Sequence, residues 1–139
     1  MTRLTSQARA AALRGIESAA GNARGRYLTN TFGQLDTYRA KLQQATDYLA
    51  ARALNASAAV PPYIQAEAAA LAQTLVGTCN RIITAASTYE NTTGPAIEAA
   101  RLVGRQNVRQ AAQGTGTEDA VLVAIEAARL AAVDSLDAV

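Results

Sequence analysis

The chain of 139 residues contains no histidine, no tryptophan, a single phenylalanine and a single cysteine. Without histidine, neither a Ser-His-Asp nor a Cys-His catalytic arrangement can form. One cysteine allows no intramolecular disulfide, and a zinc cluster built from cysteine and histidine ligands is equally excluded. Because the commonest nucleophilic and metal-dependent sites are missing, we expect a non-enzymatic protein that uses no metal and no cofactor.

Large side chains are also scarce. Aromatic residues make up 4% of the chain, whereas alanine alone accounts for about a quarter of it. Apolar surface contributes roughly 25 cal/mol per Å² when it is buried, and alanine has little of it. The predicted core is therefore thin, with closely approaching helices and Cys79 as a small buried side chain. We expect such a chain to gain stability by packing against copies of itself or against a partner.

Long apolar runs are absent as well. No stretch reaches the roughly 18–20 apolar residues that cross a bilayer, and Arg3, Arg9 and Arg14 interrupt the first fifteen residues. We expect a soluble protein of intracellular origin, with no membrane partner.

What the sequence does contain is helical periodicity. The expected fold class is all-α, a bundle of about four to five helices in one domain of residues 1–139, either closed or with one helix extended for oligomer contacts. The first helix is predicted to begin at Thr5 or Ser6. One long third helix is predicted from Pro62 to the NTTGP stretch, which predicts a break. Capping-box spacing predicts two further helix starts, at Thr31 with Gln34 and at Thr115 with Glu118.

The seven residues AIEAARL occur twice, at 96–102 and at 124–130. The two copies start 28 residues apart, which is four heptads. Within each copy a glutamate and an arginine lie three positions apart, as Glu98 with Arg101 and Glu126 with Arg129, a spacing that favours an ion pair on a helix. The sequences after the copies differ, so repeated alanine-rich packing is favoured over a duplicated functional unit.

Charge is distributed unevenly along the chain. Residues 1–60 carry a net charge of +5 and residues 61–139 a net charge of −3. Arg101, Arg105 and Arg109 recur every four residues and predict a basic ridge along one helix. The ridge is expected to face acidic groups such as Asp134 and Asp137, in the same chain or in a neighbouring one. Phosphate binding is the weaker alternative because aromatic residues do not alternate with the arginines.

The five tyrosines are concentrated at predicted helix ends and on the apolar face of the second helix. A tyrosine combines an apolar ring with a polar tip, which suits core edges and interfaces. Tyr38 and Tyr48 are therefore predicted interface residues, together with the three arginines of the ridge.

Read in order, the chain contains an Arg-x-Tyr step, a Thr-Tyr…Lys…Tyr-Leu-Ala helix, a proline-led Ala-Glu-Ala helix and an Ile-Glu-Ala-x-Arg-Leu helix. Their positions are Arg24, Arg26 and Tyr27, then Thr37, Tyr38, Lys41, Tyr48, Leu49 and Ala50, then 62–70, then 97–102. In this order the segments resemble an alanine-rich helical module of tail and tail-fibre-region proteins of tailed bacteriophages. Residues 1–113 form the module-like part, and residues 114–139 add a C-terminal helix. The module implies no catalytic residues.

This resemblance implies a structural or adaptor protein of a phage virion, located in the tail, the neck or the fibre attachment. Its expected partners are other virion proteins and further copies of itself. Two alternatives stay open: an assembly chaperone that is absent from the mature particle, and a module that binds nucleic acid through its basic N-terminal half. Nucleic acid is the less expected partner.

Overall fold

The structure is a computed structural model that describes residues 1–27 and 34–139, without the side chain of Gln34. It contains six α-helices and one π-helical segment, and the described residues form no strand. The bounds are α1 Arg3–Gly25, α2 Gln34–Leu54, α3 Pro62–Ala70, α4 Leu75–Thr88, the π-helical segment Tyr89–Thr93, α5 Gly94–Ala112 and α6 Glu118–Asp137. The all-α prediction is confirmed.

Three threonines cap helices by accepting a backbone N–H bond through the side-chain oxygen. Thr2 accepts from Thr5, so α1 begins before the predicted Thr5 or Ser6. Thr117 accepts from Ala120 at 3.2 Å, so the predicted cap at Thr115 is wrong by two positions. The predicted Thr31–Gln34 cap lies outside the described residues.

The predicted long third helix is in fact two helices, α3 and α4. After α3 the backbone turns through Ala72, the one described non-glycine residue with a positive φ, at 50°. Ala72 N–H donates to the Ala69 carbonyl and Gln73 N–H to the Ala68 carbonyl, the two bonds of a Schellman ending. Thr74 then caps α4 by accepting from Gly77 at 3.0 Å.

The break predicted at NTTGP is present only as a change of helix type, because α4 ends at Thr88 and the π-helical segment follows it. The π-helical segment leads directly into α5, with no coil residue between them. Pro95 lies in the first turn of α5, where its missing N–H costs no helical hydrogen bond. A proline at this position begins a helix as readily as it ends one.

The helices pack as two compact units. Unit 1 is Met1–Tyr27 with Thr92–Val139 and therefore contains α1, α5 and α6, whereas unit 2 is Leu28–Asn91 and contains α2, α3 and α4. The sequence predicts one domain over residues 1–139, and this stays a prediction.

The core of unit 1 combines a few branched side chains with many alanines. Ile16, Ile97 and Ile125 supply one fully or almost fully buried isoleucine from each helix. Helices α5 and α6 run antiparallel and come closest at Gly104, where an added Cβ would lie 2.5 Å from the Ala132 Cβ. This contact is the close helix approach that the alanine-rich composition predicts.

The core of unit 2 is built around one aromatic ring. Tyr48 packs with Ala45, Ile64, Cys79 and Ile82, all of which are buried. Burial raises the pKa of the Cys79 thiol, which agrees with its expected place as a small buried side chain.

An ion triad joins the three helices of unit 2. The Glu67 carboxylate on α3 pairs with Lys41 on α2 and lies 2.8 Å from the Arg81 guanidinium on α4. Because one carboxylate contacts a cation on each neighbouring helix, the triad fixes α3 against both of them.

Candidate interaction surface

Two arginines of the predicted ridge are paired inside unit 1. Arg101 donates to Glu17 on α1 at 2.9 Å and to Glu98 on its own helix at 2.6 and 2.9 Å. Arg105 also donates to Glu17, and Arg24 lies 3.5 Å from Glu98. The result is a five-residue network that ties α1 to α5. Arg101 and Arg105 therefore face Glu17 and Glu98, and their predicted pairing with Asp134 and Asp137 in the same chain is wrong.

The network lowers the pKa of both carboxyl groups. Partial burial raises the pKa of Glu17, but hydrogen bonds and attraction from Arg101 and Arg105 outweigh that effect and leave it below its usual value. The hydrogen bond from Arg101 lowers the pKa of Glu98, and the same contacts raise the pKa of Arg101. The favoured state of the network has charged carboxylates and charged guanidinium groups.

Arg109, the third arginine of the ridge, is exposed and has no ion pair within the described residues. Asp134 and Asp137 likewise have no ion pair in unit 1, all of which is described. Both aspartates lie near the C-terminus of α6, where the helix dipole disfavours negative charge. Arg26 does reach this end of α6, but it donates to the Leu136 carbonyl at 2.8 Å and to neither aspartate. These three charges remain available for a partner.

The two tyrosines predicted at an interface have different environments. Tyr48 is 4% exposed and belongs to the unit 2 core, so it lies in the interior and not on the surface that its predicted role requires. Tyr38 is half-buried and lines a groove of about 270 Å³ with Leu35, Leu42 and Glu90. Burial, together with the nearby Glu90 and Tyr89, raises the pKa of the Tyr38 phenol. The ring therefore stays uncharged, and its interface role remains a prediction.

The two AIEAARL copies occupy equivalent positions in the core of unit 1. Ile97 and Ile125 are both buried, and the predicted Glu–Arg ion pairs are confirmed at 2.6 Å in both copies. Equivalence continues past the seven letters. Gly104 and Ala132 form the close contact described above, and Val108 and Leu136, also 28 residues apart, are both fully buried. The repeat is thus one packing arrangement used by two antiparallel helices.

The outward faces of the two helices are equivalent too, and sequence reasoning missed this. On each helix a row of exposed residues with heptad spacing lies opposite the buried face. We call Ala99, Leu102, Gln106 and Arg109 the α5 seam, and Ala127, Leu130, Asp134 and Asp137 the α6 seam. Each α6 position lies 28 residues after its α5 counterpart. The four-heptad interval was the signal that could have revealed them.

Large apolar side chains are exposed on the outer face of α6. Val123 is 70% exposed and Leu130 is 47% exposed, and the neighbouring Ala120, Ala127 and Ala131 are exposed as well. Asp134 and Asp137 continue the same face towards the C-terminus. A surface helix normally presents polar side chains to water, so the stretch of this face from Ala120 to Ala131 has the composition of a covered surface.

The described parts of the chain hold no group of three or more Cys, Asp or Glu residues arranged to bind a metal ion. Among the same residues, no helix is both long and apolar enough to span a bilayer. No protein-family model, curated protein or solved structure matches the sequence or the fold.

Proposed function

We propose that this chain is a non-enzymatic structural or adaptor protein of a tailed-bacteriophage virion, located in the tail, the neck or the fibre attachment. It acts through helix-mediated contacts with other virion proteins and with its own copies. The phage assignment comes from the resemblance of residues 1–113 to the alanine-rich helical module.

The observation that carries the proposed interaction role is the outer face of α6. Leu130 and Val123 expose a large part of their side chains among exposed alanines. Exposed apolar side chains that are grouped on one helix face are typical of a protein–protein contact. On α5, Leu102 is 52% exposed, so two neighbouring helices of unit 1 offer surface to partners.

The arginine network bears on the alternative that the ridge on α5 binds phosphate groups. Arg101 and Arg105 are neutralised by Glu17 and Glu98, which leaves Arg109 as the one ridge arginine without an ion pair in the described residues. Binding to nucleic acid relies on several cations facing phosphates and weakens steeply with salt. The ridge is therefore better suited to a protein contact than to a nucleic acid.

Quantitative peptide mass spectrometry on purified phage particles tests this function. A fixed ratio of the chain to tail or head proteins is the expected result. Absence from particles, combined with abundance in the infected lysate, would overturn the virion assignment and favour the assembly chaperone. A salt-dependent shift of a labelled DNA duplex would instead favour the nucleic-acid module.

A further inference from the structure

We propose that copies of this chain associate head to tail, with the α5 seam of one copy packed parallel against the α6 seam of the next. The inference rests on the proposed function, and it specifies the partner as a second copy and the surface as these two helix faces. It accounts for the exposed leucines, for the interval of the repeat and for the three available charges.

The apolar half of each seam supplies the contact. Helices that pair in parallel through a heptad seam place equivalent positions side by side. The four-heptad interval makes Ala99 equivalent to Ala127 and Leu102 equivalent to Leu130. Each seam thus offers one alanine, which lets the helix axes approach, and one leucine, which fills the space beside it. Both leucines are about half exposed in the single chain, so the contact would bury apolar surface.

The polar half of each seam decides which seams pair. The residues after the leucines are Gln106 and Arg109 on α5, and Asp134 and Asp137 on α6. Parallel pairing of unlike seams brings Arg109 beside the aspartates of the neighbouring copy. Opposite charges at such a position favour the pairing, and like charges oppose it.

Pairing of like seams lacks this complementarity. Two parallel α6 seams would place aspartates against aspartates, and two antiparallel α6 seams would bring Asp137 towards the acidic start of α6 at Glu118 and Asp119. Two parallel α5 seams would place Arg109 against Arg109. Charge therefore opposes each of these three pairings and favours the parallel contact between unlike seams.

Such a contact is heterologous, because each copy contributes a different face to its two neighbours. Heterologous contacts produce closed rings when the rotation between copies closes, and open filaments when it does not. Either assembly suits a protein that repeats along or around a particle.

A mixing experiment tests the arrangement. Leu102→Lys removes one seam and Leu130→Lys removes the other, and both positions are exposed enough to accept lysine with the fold intact, which circular dichroism verifies. Sedimentation equilibrium over about 1 µM to 1 mM measures association. The unaltered chain is expected to associate, and each variant alone is expected to be monomeric. A mixture of the two should form a 1:1 dimer, because each variant retains the seam that the other has lost.

Charge exchange is the second measurement. Arg109→Glu and Asp137→Arg are each expected to weaken association by roughly two- to fivefold at low salt, the effect of one exposed ion pair. The double variant restores opposite charges at the seam and is expected to recover the lost affinity. Arg14→Glu is the matched control, because Arg14 is an exposed arginine of α1 that lies outside both seams.

Three results would overturn the inference: an unaltered chain that stays monomeric, a mixture that stays monomeric, or either variant associating alone. Association of Leu102→Lys alone would mean that α6 pairs with itself, and association of Leu130→Lys alone would mean that α5 does. The outcome is separable from that of the proposed function. A monomeric chain found in particles contradicts only the seam contact, whereas an associating chain absent from particles contradicts only the virion role.

Discussion

Unit 1 consists of three helices of 23, 19 and 20 residues, whereas unit 2 has one helix of 21 residues and two shorter helices of 9 and 14. In unit 1 the core is mostly alanine and isoleucine, and α5 and α6 approach closely at Gly104 and Ala132. In unit 2 one tyrosine ring fills the centre, and the Glu67 triad links all three helices.

The difference shows two ways in which helices can pack with few large side chains. Long helices bury many small contacts, so alanines can fill half of the unit 1 core between its branched side chains. The close crossing of α5 and α6 then requires small residues where the two helices meet. Short helices have few contacts, and their stability comes from tertiary packing more than from propensity. Unit 2 therefore depends on a bulky ring and on a central carboxylate. The two units should respond differently to changes in size, backbone and charge.

Removing the ring from unit 2 tests this dependence most severely. Tyr48→Ala is expected to cost about 3–5 kcal/mol, the usual range for truncating a buried aromatic side chain. Urea denaturation followed by circular dichroism gives the free energy of unfolding, and amide hydrogen exchange locates the loss to α2, α3 and α4.

Tyr48→Phe is the matched control, because it keeps the ring and removes a hydroxyl that has no hydrogen bond within the described residues. It is expected to change stability by less than about 1 kcal/mol. If Tyr48→Ala left stability intact but weakened association, the ring would be an interface residue, as the sequence analysis predicted, and the core description of unit 2 would be wrong.

Adding a single methyl group tests the close crossing in unit 1. Gly104→Ala would place a Cβ 2.5 Å from the Ala132 Cβ and 3.4 Å from Ile16 Cδ1. Overpacking of this kind is expected to cost about 1–3 kcal/mol. Thermal and urea unfolding measure the loss, and hydrogen exchange should show it in α5 and α6.

The same substitution at Gly21, in α1, is expected to raise the stability of the chain and not to lower it. A Cβ at Gly21 would meet no atom of the described residues within 4 Å. Alanine is favoured over glycine in a helix interior by about 1 kcal/mol, so this variant should be more stable. If both substitutions changed the free energy of unfolding equally, the close approach of α5 and α6 would not restrict the side chain at position 104.

The sequence predicted unit 1 better than unit 2 for a physical reason. Long periodic helices and the repeated AIEAARL carry their packing face in their own spacing, so Ile97, Ile125 and both Glu–Arg pairs could be anticipated. The turn at Ala72 could not, because LAQT contains neither glycine nor proline and its backbone is set by how α3 packs on α4. Thr74 was the one local signal.

The interface prediction had a different weakness. Tyr38 and Tyr48 both suited an amphipathic helix, and periodicity alone cannot distinguish a face that meets the core from one that meets another protein. Likewise, spacing placed Arg101 and Arg105 on one ridge, but their partner Glu17 lies more than eighty residues away in the sequence. Long-range pairing of this kind requires the tertiary fold.

In unit 2, a substitution at Ala72 tests whether the turn between α3 and α4 is strained. Ala72 has a left-handed conformation, which costs an ordinary L-residue about 1–2 kcal/mol. Ala72→Gly removes this cost but adds unfolded-state entropy, so a net gain of about 0.5–1 kcal/mol is expected. Ala66→Gly, at an exposed position within α3, should instead lose about 0.5–1 kcal/mol. Urea unfolding measures both, and a loss of stability with Ala72→Gly would refute the strained turn.

The smallest expected effect is the contribution of the ion pairs in unit 1 to stability, which lowering the pH removes. The folded-state pKa values of Glu17, Glu98 and Glu126 are all lowered, by hydrogen bonds and attraction from Arg101, Arg105 and Arg129. A carboxyl group with a lowered pKa stabilises the fold when it is charged. This contribution is therefore complete above the unfolded value of 4.5 and is lost as the pH falls through the lower folded value. We expect the free energy of unfolding, measured in urea, to decline from about pH 5 towards pH 3.

Glu17→Gln isolates the link between α1 and α5. Because the Glu17 side chain is 42% exposed, water and salt screen its ion pairs, and the variant should lose only about 0.2–1 kcal/mol at pH 7. Once the pH has fallen below the lowered folded-state pKa of Glu17, the difference from the unaltered chain should disappear, since the carboxyl group is then protonated in both states. Asp36→Asn is the control, because Asp36 is an exposed carboxylate of α2 with no ion pair in the described residues. If Asp36→Asn reduced the pH dependence as much as Glu17→Gln did, the decline would reflect overall charge, and the network would have no specific part in holding α1 against α5.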